Sequence, residues 1–144
     1  MERKRNNLAL HIVQNLAKQN GCKKMAESIM LEKAKDFAVE IVNLCKNIKS
    51  NYKESVLTNQ LIRSGTSIGA NIHESKYAQS TADFINKMKI ALKECYESEY
   101  WLEILNRTGY IDDEQYKIVS NNCGQIRRML ISSINTVKKR NSCQ

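Results

Sequence analysis

Residues 29–48 read IMLEKAKDFAVEIVNLCKNI, and this stretch decides the fold. Its apolar residues recur at intervals of three and four, which places them along one side of an α-helix. They are Ile29, Met30, Ala34, Phe37, Ile41, Leu44, Cys45 and Ile48. The pattern predicts an amphipathic helix over about residues 26–50, with its apolar stripe facing a core.

The same spacing predicts three more long helices towards the C-terminus. One spans about residues 54–77, the next about 81–107, and the last begins near residue 112. Ser80 and Asp83 resemble a capping box at the start of the middle helix, and Gly109 is expected to end it. Because the linkers are only a few residues long, sequential helices should be antiparallel neighbours.

The first 24 residues form a separate segment in this interpretation. Leu8, Ile12 and Leu16 predict a short amphipathic helix over residues 8–18, which Asn20 and Gly21 are expected to end. The prediction is therefore an all-α fold, an antiparallel up-down-up-down four-helix bundle with an extra short N-terminal helix. Residues 1–24 would form a basic arm and residues 25–144 the bundle.

Composition agrees with few, long helices. The 144 residues include no proline and five glycines, where roughly 7 and about 10 are usual, and a hydrophobic content of 42% argues against wholesale disorder. No apolar run approaches the roughly 18 residues of a membrane span, so no membrane association is expected. Five scattered cysteines without a CxxC pair favour reduced thiols in the cytoplasm.

Positive charge is concentrated at the two ends of the chain. Residues 1–24 hold six basic residues and one acidic residue, and residues 125–144 hold five basic residues and no acidic one. Such asymmetry is typical of a surface that binds the phosphates of RNA or DNA, although a merely solvated terminus would look the same. The candidate phosphate-binding residues are Arg127, Arg128, Lys138, Lys139 and Arg140, helped by Arg3, Lys4 and Arg5.

A glycine-containing segment, RSGTSIGANIHE at residues 63–74, interrupts the predicted second bundle helix with poor helix formers. Gly65 and Gly69 are four residues apart, so both would let another helix approach one face closely. A second, polar stripe consists of Arg63, Ser67, Asn71 and Glu74. Helix packing or a subunit interface is favoured over a phosphate cradle, because the GxxxxGK[ST] spacing and a preceding strand are both missing.

Catalytic and metal-binding patterns are weak. Neither histidine has a convincing Cys or Ser partner, and a di-iron set of His73, Glu74, Glu94 and Glu97 would need paired ExxH motifs. Tyr96, Tyr100 and Trp101 could stack on bases, but aromatic residues on a helix more often pack in a core or interface. The sequence therefore predicts no enzyme, no metal and no cofactor.

The stretch VLTNQLIRSGTSIGANI at residues 56–72, with ADFI at 82–85 and YWL at 100–102, resembles the bacterial four-helix-bundle family encoded in 23S rRNA intervening sequences. The resemblance covers about residues 25–140, and the family includes the accessory variability proteins of diversity-generating retroelements. It implies a homopentamer with a positively charged surface. For the retroelement members it also implies binding to a reverse transcriptase and to RNA or DNA, and it brings no catalytic residues.

Together, these features predict a non-enzymatic, oligomeric nucleic-acid-binding accessory protein that binds phosphates through its basic surface and assists a reverse transcriptase in the retroelement setting. The alternative is a protein-interaction module, encoded in a 23S rRNA intervening sequence, that does not itself touch nucleic acid.

Overall fold

The computed structural model describes the backbone of residues 2–142 and the side chains of residues 18–142. Four α-helices account for most of the chain: α1 (Glu2–Tyr52), α2 (Val56–Ser75), α3 (Thr81–Arg107) and α4 (Asp113–Ser142). Between residues 2 and 142 there is no β-strand. The all-α class and the four bundle helices are confirmed.

The expected helix break at Asn20 and Gly21 is wrong. Helix α1 continues through both residues, so the extra N-terminal helix is part of α1. An interior glycine costs a helix only about 1 kcal/mol, which neighbouring turns can offset when no proline follows. The chain nevertheless divides into two compact units, residues 1–30 and residues 31–144. The basic arm over residues 1–24 stays a prediction.

In the N-terminal unit, residues 2–30 are helical, and the described side chains are mostly exposed. Lys23 and Glu27 form an ion pair one turn apart, with 3.6 Å between Nζ and Oε1. Met25 and Ile29 lie exposed in the same unit.

Helices α2, α3 and α4 begin at acidic or hydroxyl side chains that accept hydrogen bonds from free backbone amides. Ser80 Oγ accepts from the Asp83 amide at 3.0 Å, which confirms the predicted cap of α3. Before α2, Glu54 accepts from the Leu57 amide at 2.7 Å. Asp112 accepts from the Gln115 amide at 2.8 Å at the start of α4. Each interaction satisfies an amide that has no partner inside the helix.

Interhelical contacts in residues 31–144 establish the antiparallel arrangement. Ser64 of α2 meets Ser98 of α3, whereas the later residue Glu74 meets the earlier residue Lys87. Helices α1 and α4 follow the same order, since Lys33 contacts Gln125 and the later residue Glu40 contacts the earlier residue Asn122. The topology is therefore the predicted up-down-up-down bundle.

The bundle core consists of apolar side chains from all four helices, and its largest fully buried members include Phe37, Ile41, Leu61, Met88, Leu102 and Leu130. One polar pair lies inside it. Ser98 Oγ donates to Ser64 Oγ at 2.9 Å, and Ser64 Oγ donates to the Leu61 carbonyl at 3.3 Å. These hydrogen bonds offset the cost of burying the two hydroxyls, because an unpaired buried hydroxyl costs about 1–3 kcal/mol.

Candidate nucleic-acid interface

Helix α4 carries most of the predicted phosphate-binding residues, and it is unusually free of acid. Its two carboxylates, Asp113 and Glu114, lie in the first turn. From residue 115 to its end at Ser142 every charged side chain is basic. Exposed cations with no ion-pair partner among the described residues are Lys117, Arg128, Lys138, Lys139 and Arg140. This part of the helix therefore presents uncompensated positive charge.

Arg127 differs from these residues, although the sequence places it beside Arg128. Its Nε donates to Glu99 Oε1 on α3 at 2.9 Å, and its guanidinium lies 5.6 Å from the centre of the Tyr96 ring. The hydrogen bond to Glu99 raises the pKa of the guanidinium above its ordinary value. Arg127 thus joins α3 to α4, and its charge is already balanced within the chain.

Lys117 is a basic residue that the sequence interpretation missed. Eleven residues make three helical turns plus about 20°, so Lys117, Arg128 and Lys139 follow one another along one side of α4. The row extends about 33 Å at 1.5 Å per residue. The repeat of basic residues at intervals of eleven is the sequence signal that could have identified Lys117.

The N-terminal candidates are not described at the side-chain level. Arg3, Lys4 and Arg5 belong to the helical backbone of α1, but their side chains lie outside the described residues. Their contribution to phosphate binding stays a prediction.

A groove of about 490 Å³ runs between α3 and α4 beside the basic row. Its walls include Tyr96 and Tyr100 of α3 and Tyr116 of α4. Arg128 folds towards the floor: a Cβ placed on Gly124 would lie 3.3 Å from Arg128 Nη1 and 3.8 Å from Arg127 Nη2. Two guanidinium groups therefore converge over one backbone position.

The predicted polar stripe of α2 lies against α3, and its charged residues find partners there. Arg63 Nη2 donates to Glu97 Oε1 at 2.8 Å, and Lys87 Nζ donates to Glu74 Oε2 at 2.6 Å. Arg63 and Glu74 therefore do not pair with each other within the chain. Both bridges connect α2 to α3, so we define the outer surface of these two helices as the α2–α3 face.

Polar residues between these bridges are partly buried. Asn71 Nδ2 donates to the Ser67 carbonyl at 2.9 Å, one turn back along α2. On α3, Glu94 Oε2 is buried with no hydrogen-bond partner among the described residues. Burial, followed by repulsion from Glu97, raises the pKa of Glu94 above the ordinary value of 4.5. The α2–α3 face thus contains a carboxylate oxygen that lacks a donor.

The two glycines of the α2 segment face α1, and they differ in how much room surrounds them. A Cβ on Gly65 would lie 3.1 Å from both γ carbons of Ile41, which is tighter than ordinary contact. A Cβ on Gly69 would lie 3.6 Å from Ala34 Cβ, an ordinary van der Waals distance. Close helix approach thus requires glycine at Gly65 but not at Gly69.

Thiols and metal-ligand types supply no further site. Cys22, Cys45, Cys95 and Cys123 are free thiols, and Cys143 lies outside the described residues. Burial raises the pKa of Cys45 to about 12, which keeps that thiol protonated and poorly nucleophilic. Within residues 18–142, no group of three or more His, Cys, Asp or Glu side chains could hold a metal ion.

In the part of the chain that the structure describes, no helix is both long and apolar enough to cross a lipid bilayer.

These features define a helical-bundle protein with one cationic helix surface and one surface where charges pair across two helices. The chain belongs to the family of 23S rRNA-intervening sequence proteins, whose family model matches residues 26–132. The family assignment confirms the resemblance seen in residues 56–72. The matched range includes Lys117 and Arg128 but ends before Lys138, Lys139 and Arg140.

A crystal structure from Bacteroides thetaiotaomicron is similar to this chain. It is described as a protein with unknown function from the S23 ribosomal protein family. The two sequences are 53% identical, the match covers 76% of this chain and 98% of the other, and the TM-score is 0.75. Among curated proteins, none matches this chain significantly.

Proposed function

We propose that this protein is a non-catalytic, oligomeric nucleic-acid-binding accessory protein whose α4 helix binds the phosphate backbone of RNA or DNA. The observation that carries the proposal is the basic row of Lys117, Arg128 and Lys139, exposed on a helix without acid beyond its first turn. Cations that already have partners would lose those contacts on binding phosphate, whereas unpaired cations release only solvent and counterions. The family's connection with 23S rRNA genes is compatible with a nucleic-acid partner.

Phosphate contacts of this kind predict strong salt dependence. For single strands, the slope of log affinity against log salt is about −0.7 for each neutralised phosphate. Each contact therefore contributes about fivefold in affinity at 0.1 M salt relative to 1 M. A row of three contacts would account for roughly a hundredfold.

The test compares two triple variants that remove the same charge. Lys117→Gln/Arg128→Gln/Lys139→Gln removes the basic row. The control, Lys46→Gln/Lys53→Gln/Lys76→Gln, removes three exposed lysines that have no ion-pair partner among the described residues, one on α1 and one directly after each of α1 and α2. Binding to labelled oligonucleotides is measured by fluorescence anisotropy over a salt series. The row variant should lose roughly a hundredfold in affinity and about 2 units of salt slope.

Equal losses in the two variants would assign binding to net charge and contradict the α4 site. A protein that binds no oligonucleotide even at low salt would contradict the nucleic-acid role, and would favour the alternative of a protein-interaction module. The reverse-transcriptase partner of the retroelement setting belongs to the same proposal, and co-purification with a reverse transcriptase encoded by an adjacent gene would test it.

Self-association is the second part of the proposal, and the α2–α3 face is the proposed contact. The buried Glu94 oxygen without a donor, and the partly buried Ser67 and Asn71, support a surface that another subunit covers. A donor from a second copy would satisfy the Glu94 carboxylate, which otherwise stays buried at a cost. Several basic rows in one assembly would also bind one polyanion with increased avidity.

Solution mass tests this contact. Ala70 is exposed on α2 between Ser67 and Glu74, so Ala70→Arg adds bulk to the α2–α3 face without entering the core. Light scattering after gel filtration should show that the parent protein is an oligomer, as the homopentamer implied by the family resemblance would be. Ala70→Arg should dissociate this oligomer. The control Ser50→Arg changes an exposed position of α1 and should leave the mass unchanged. A monomeric parent protein would contradict self-association.

A further inference from the structure

The groove between α3 and α4 has features that phosphate binding alone does not explain. Tyr96 and Tyr100 are 51% and 56% exposed, so more than half of each residue is open to solvent. They lie four residues apart on α3, so their rings project from the same side about 6 Å apart along the helix axis. Tyr100 also meets Trp101 edge to face, with 5.0 Å between ring centres.

In the groove, both glutamate side chains have ion-pair partners, whereas one arginine side chain has none. Glu99 pairs with Arg127, and Glu103 pairs with Arg107, with 2.6 Å between Glu103 Oε1 and Arg107 Nη2. Arg128 has no ion-pair partner among the described residues and reaches over Gly124 at the groove floor. The tyrosine walls therefore lie directly beside the free guanidinium at the centre of the basic row.

We propose that this groove selects single-stranded nucleic acid, with unpaired bases stacked on Tyr96 and Tyr100 while the adjoining phosphates lie along the row of Lys117, Arg128 and Lys139. The inference deepens the proposed function and rests on it. Exposed rings beside a positively charged track are the two elements with which proteins bind single strands independently of sequence. In a duplex the bases stack on one another, so their faces are closed to the tyrosines.

A purely electrostatic surface predicts the opposite preference. Duplex DNA has the higher charge density and the steeper salt slope, so a basic row alone should bind the duplex at least as tightly as the single strand. Preference for the single strand therefore measures the contribution of the tyrosines separately from that of the cations.

The experiment compares an unstructured RNA strand, the DNA strand of the same sequence, their duplexes, and a DNA strand with abasic sites throughout. The parent protein should bind the base-bearing single strands more tightly than the duplexes or the abasic strand. Tyr96→Leu/Tyr100→Leu should weaken single-strand binding by about thirtyfold or more, since the loss of each stacked base costs about fivefold or more. Its salt slope should not change, because no phosphate contact is removed.

Two controls separate stacking from folding and from general aromatic exposure. Tyr96→Phe/Tyr100→Phe keeps both rings, including the ring beneath Arg127, and should retain most of the affinity. Tyr77→Leu removes a 75% exposed tyrosine in the connection after α2, outside the groove, and should have no effect.

The outcomes for the groove and for the basic row are distinguishable. If the leucine variant binds like the parent, or if the abasic strand binds as tightly as the base-bearing strand, the single-strand inference is wrong. The phosphate-binding role survives that result as long as the Lys117, Arg128 and Lys139 variant still loses affinity. If that row variant loses nothing, the proposed function itself fails.

Discussion

The α2–α3 face and helix α4 both carry arginine and lysine, but they use these residues differently. On the α2–α3 face, Arg63 and Lys87 each hydrogen bond to a glutamate of the other helix. On α4, Arg128 and Lys139 are exposed without an ion-pair partner in the described chain. The comparison teaches that the availability of a cation, and not its presence in the sequence, separates a helix-joining surface from one that can bind a polyanion.

Charge reversal on the two surfaces should give the largest difference. Arg128→Glu/Lys139→Glu places acid on the row and should reduce oligonucleotide affinity by more than a hundredfold at moderate salt, since two attractions become repulsions. The matched variant Arg63→Glu/Lys87→Glu makes the same change in net charge on the α2–α3 face. Measured in the Ala70→Arg background, so that loss of the oligomer does not add to the effect, it should change affinity by less than about threefold, because its charges lie away from α4. Fluorescence anisotropy at one salt concentration distinguishes the two variants. Equal losses of oligonucleotide affinity would contradict the difference between the two surfaces.

The side of α2 that faces α1 offers the next largest effect, now on stability. Gly65→Ala places a methyl group 3.1 Å from the γ carbons of Ile41, a fully buried and branched side chain. Overpacking typically costs about 1–3 kcal/mol, which should exceed the helix-propensity gain of about 1 kcal/mol. Gly69→Ala is the matched substitution, and it should stabilise because its methyl group fits. Urea denaturation measures both variants, and equal shifts would contradict the difference in room.

Protonation of Glu94 should make the α2–α3 face sensitive to pH. Its pKa is raised in the folded state above the ordinary value of 4.5. Below the unfolded value both states are protonated and the penalty is absent, whereas stability is lost as pH rises through the folded pKa. In the Ala70→Arg background, where no second copy supplies a donor, Glu94→Gln should therefore stabilise the protein at neutral pH and lose this advantage in acid.

Thermal denaturation over a pH series measures that advantage. Asp36→Asn, at an exposed position of α1, is the control for removing one carboxylate. An advantage for Glu94→Gln that stays constant from acid to neutral pH would contradict ionisation as its cause.

The smallest expected change in affinity distinguishes the adjacent residues Arg127 and Arg128. Arg128→Gln removes an unpaired cation and should weaken oligonucleotide binding by about fivefold at 0.1 M salt. Arg127→Gln/Glu99→Gln removes a cation together with the anion that balances it, so net charge is kept, and should weaken binding by less than about twofold. A larger loss for Arg127 than for Arg128 in the same titration would show that the bridge to Glu99 opens when nucleic acid binds.

Much of the fold could be predicted because local patterns carry it. The bounds of α3, its cap at Ser80 and the antiparallel order follow from periodicity, a four-residue motif and short linkers. The break at Gly21 was wrong because one glycine is a weak signal within a long helix.

The candidate site was only partly predictable, because pairing is a long-range property. Residue type placed Arg127 and Arg128 in one set, but Glu99 lies 28 residues before Arg127 and its proximity depends on the packing of α3 on α4. Likewise, nothing local shows that Arg63 meets Glu97 or that Tyr96 and Tyr100 stay exposed. Lys117, by contrast, could have been found from its interval of eleven residues to Arg128.

The hydroxyl pair of Ser64 and Ser98 has a consequence for the axial alignment of α2 and α3. Leucine and isoleucine contacts tolerate sliding by one turn, since one hydrocarbon surface resembles the next. Sliding these helices past each other would separate the two hydroxyls and leave that of Ser98 without its acceptor, at about 1–3 kcal/mol. This single pair therefore selects one vertical position among several that the apolar contacts alone would allow, and with it the level at which Arg63 meets Glu97.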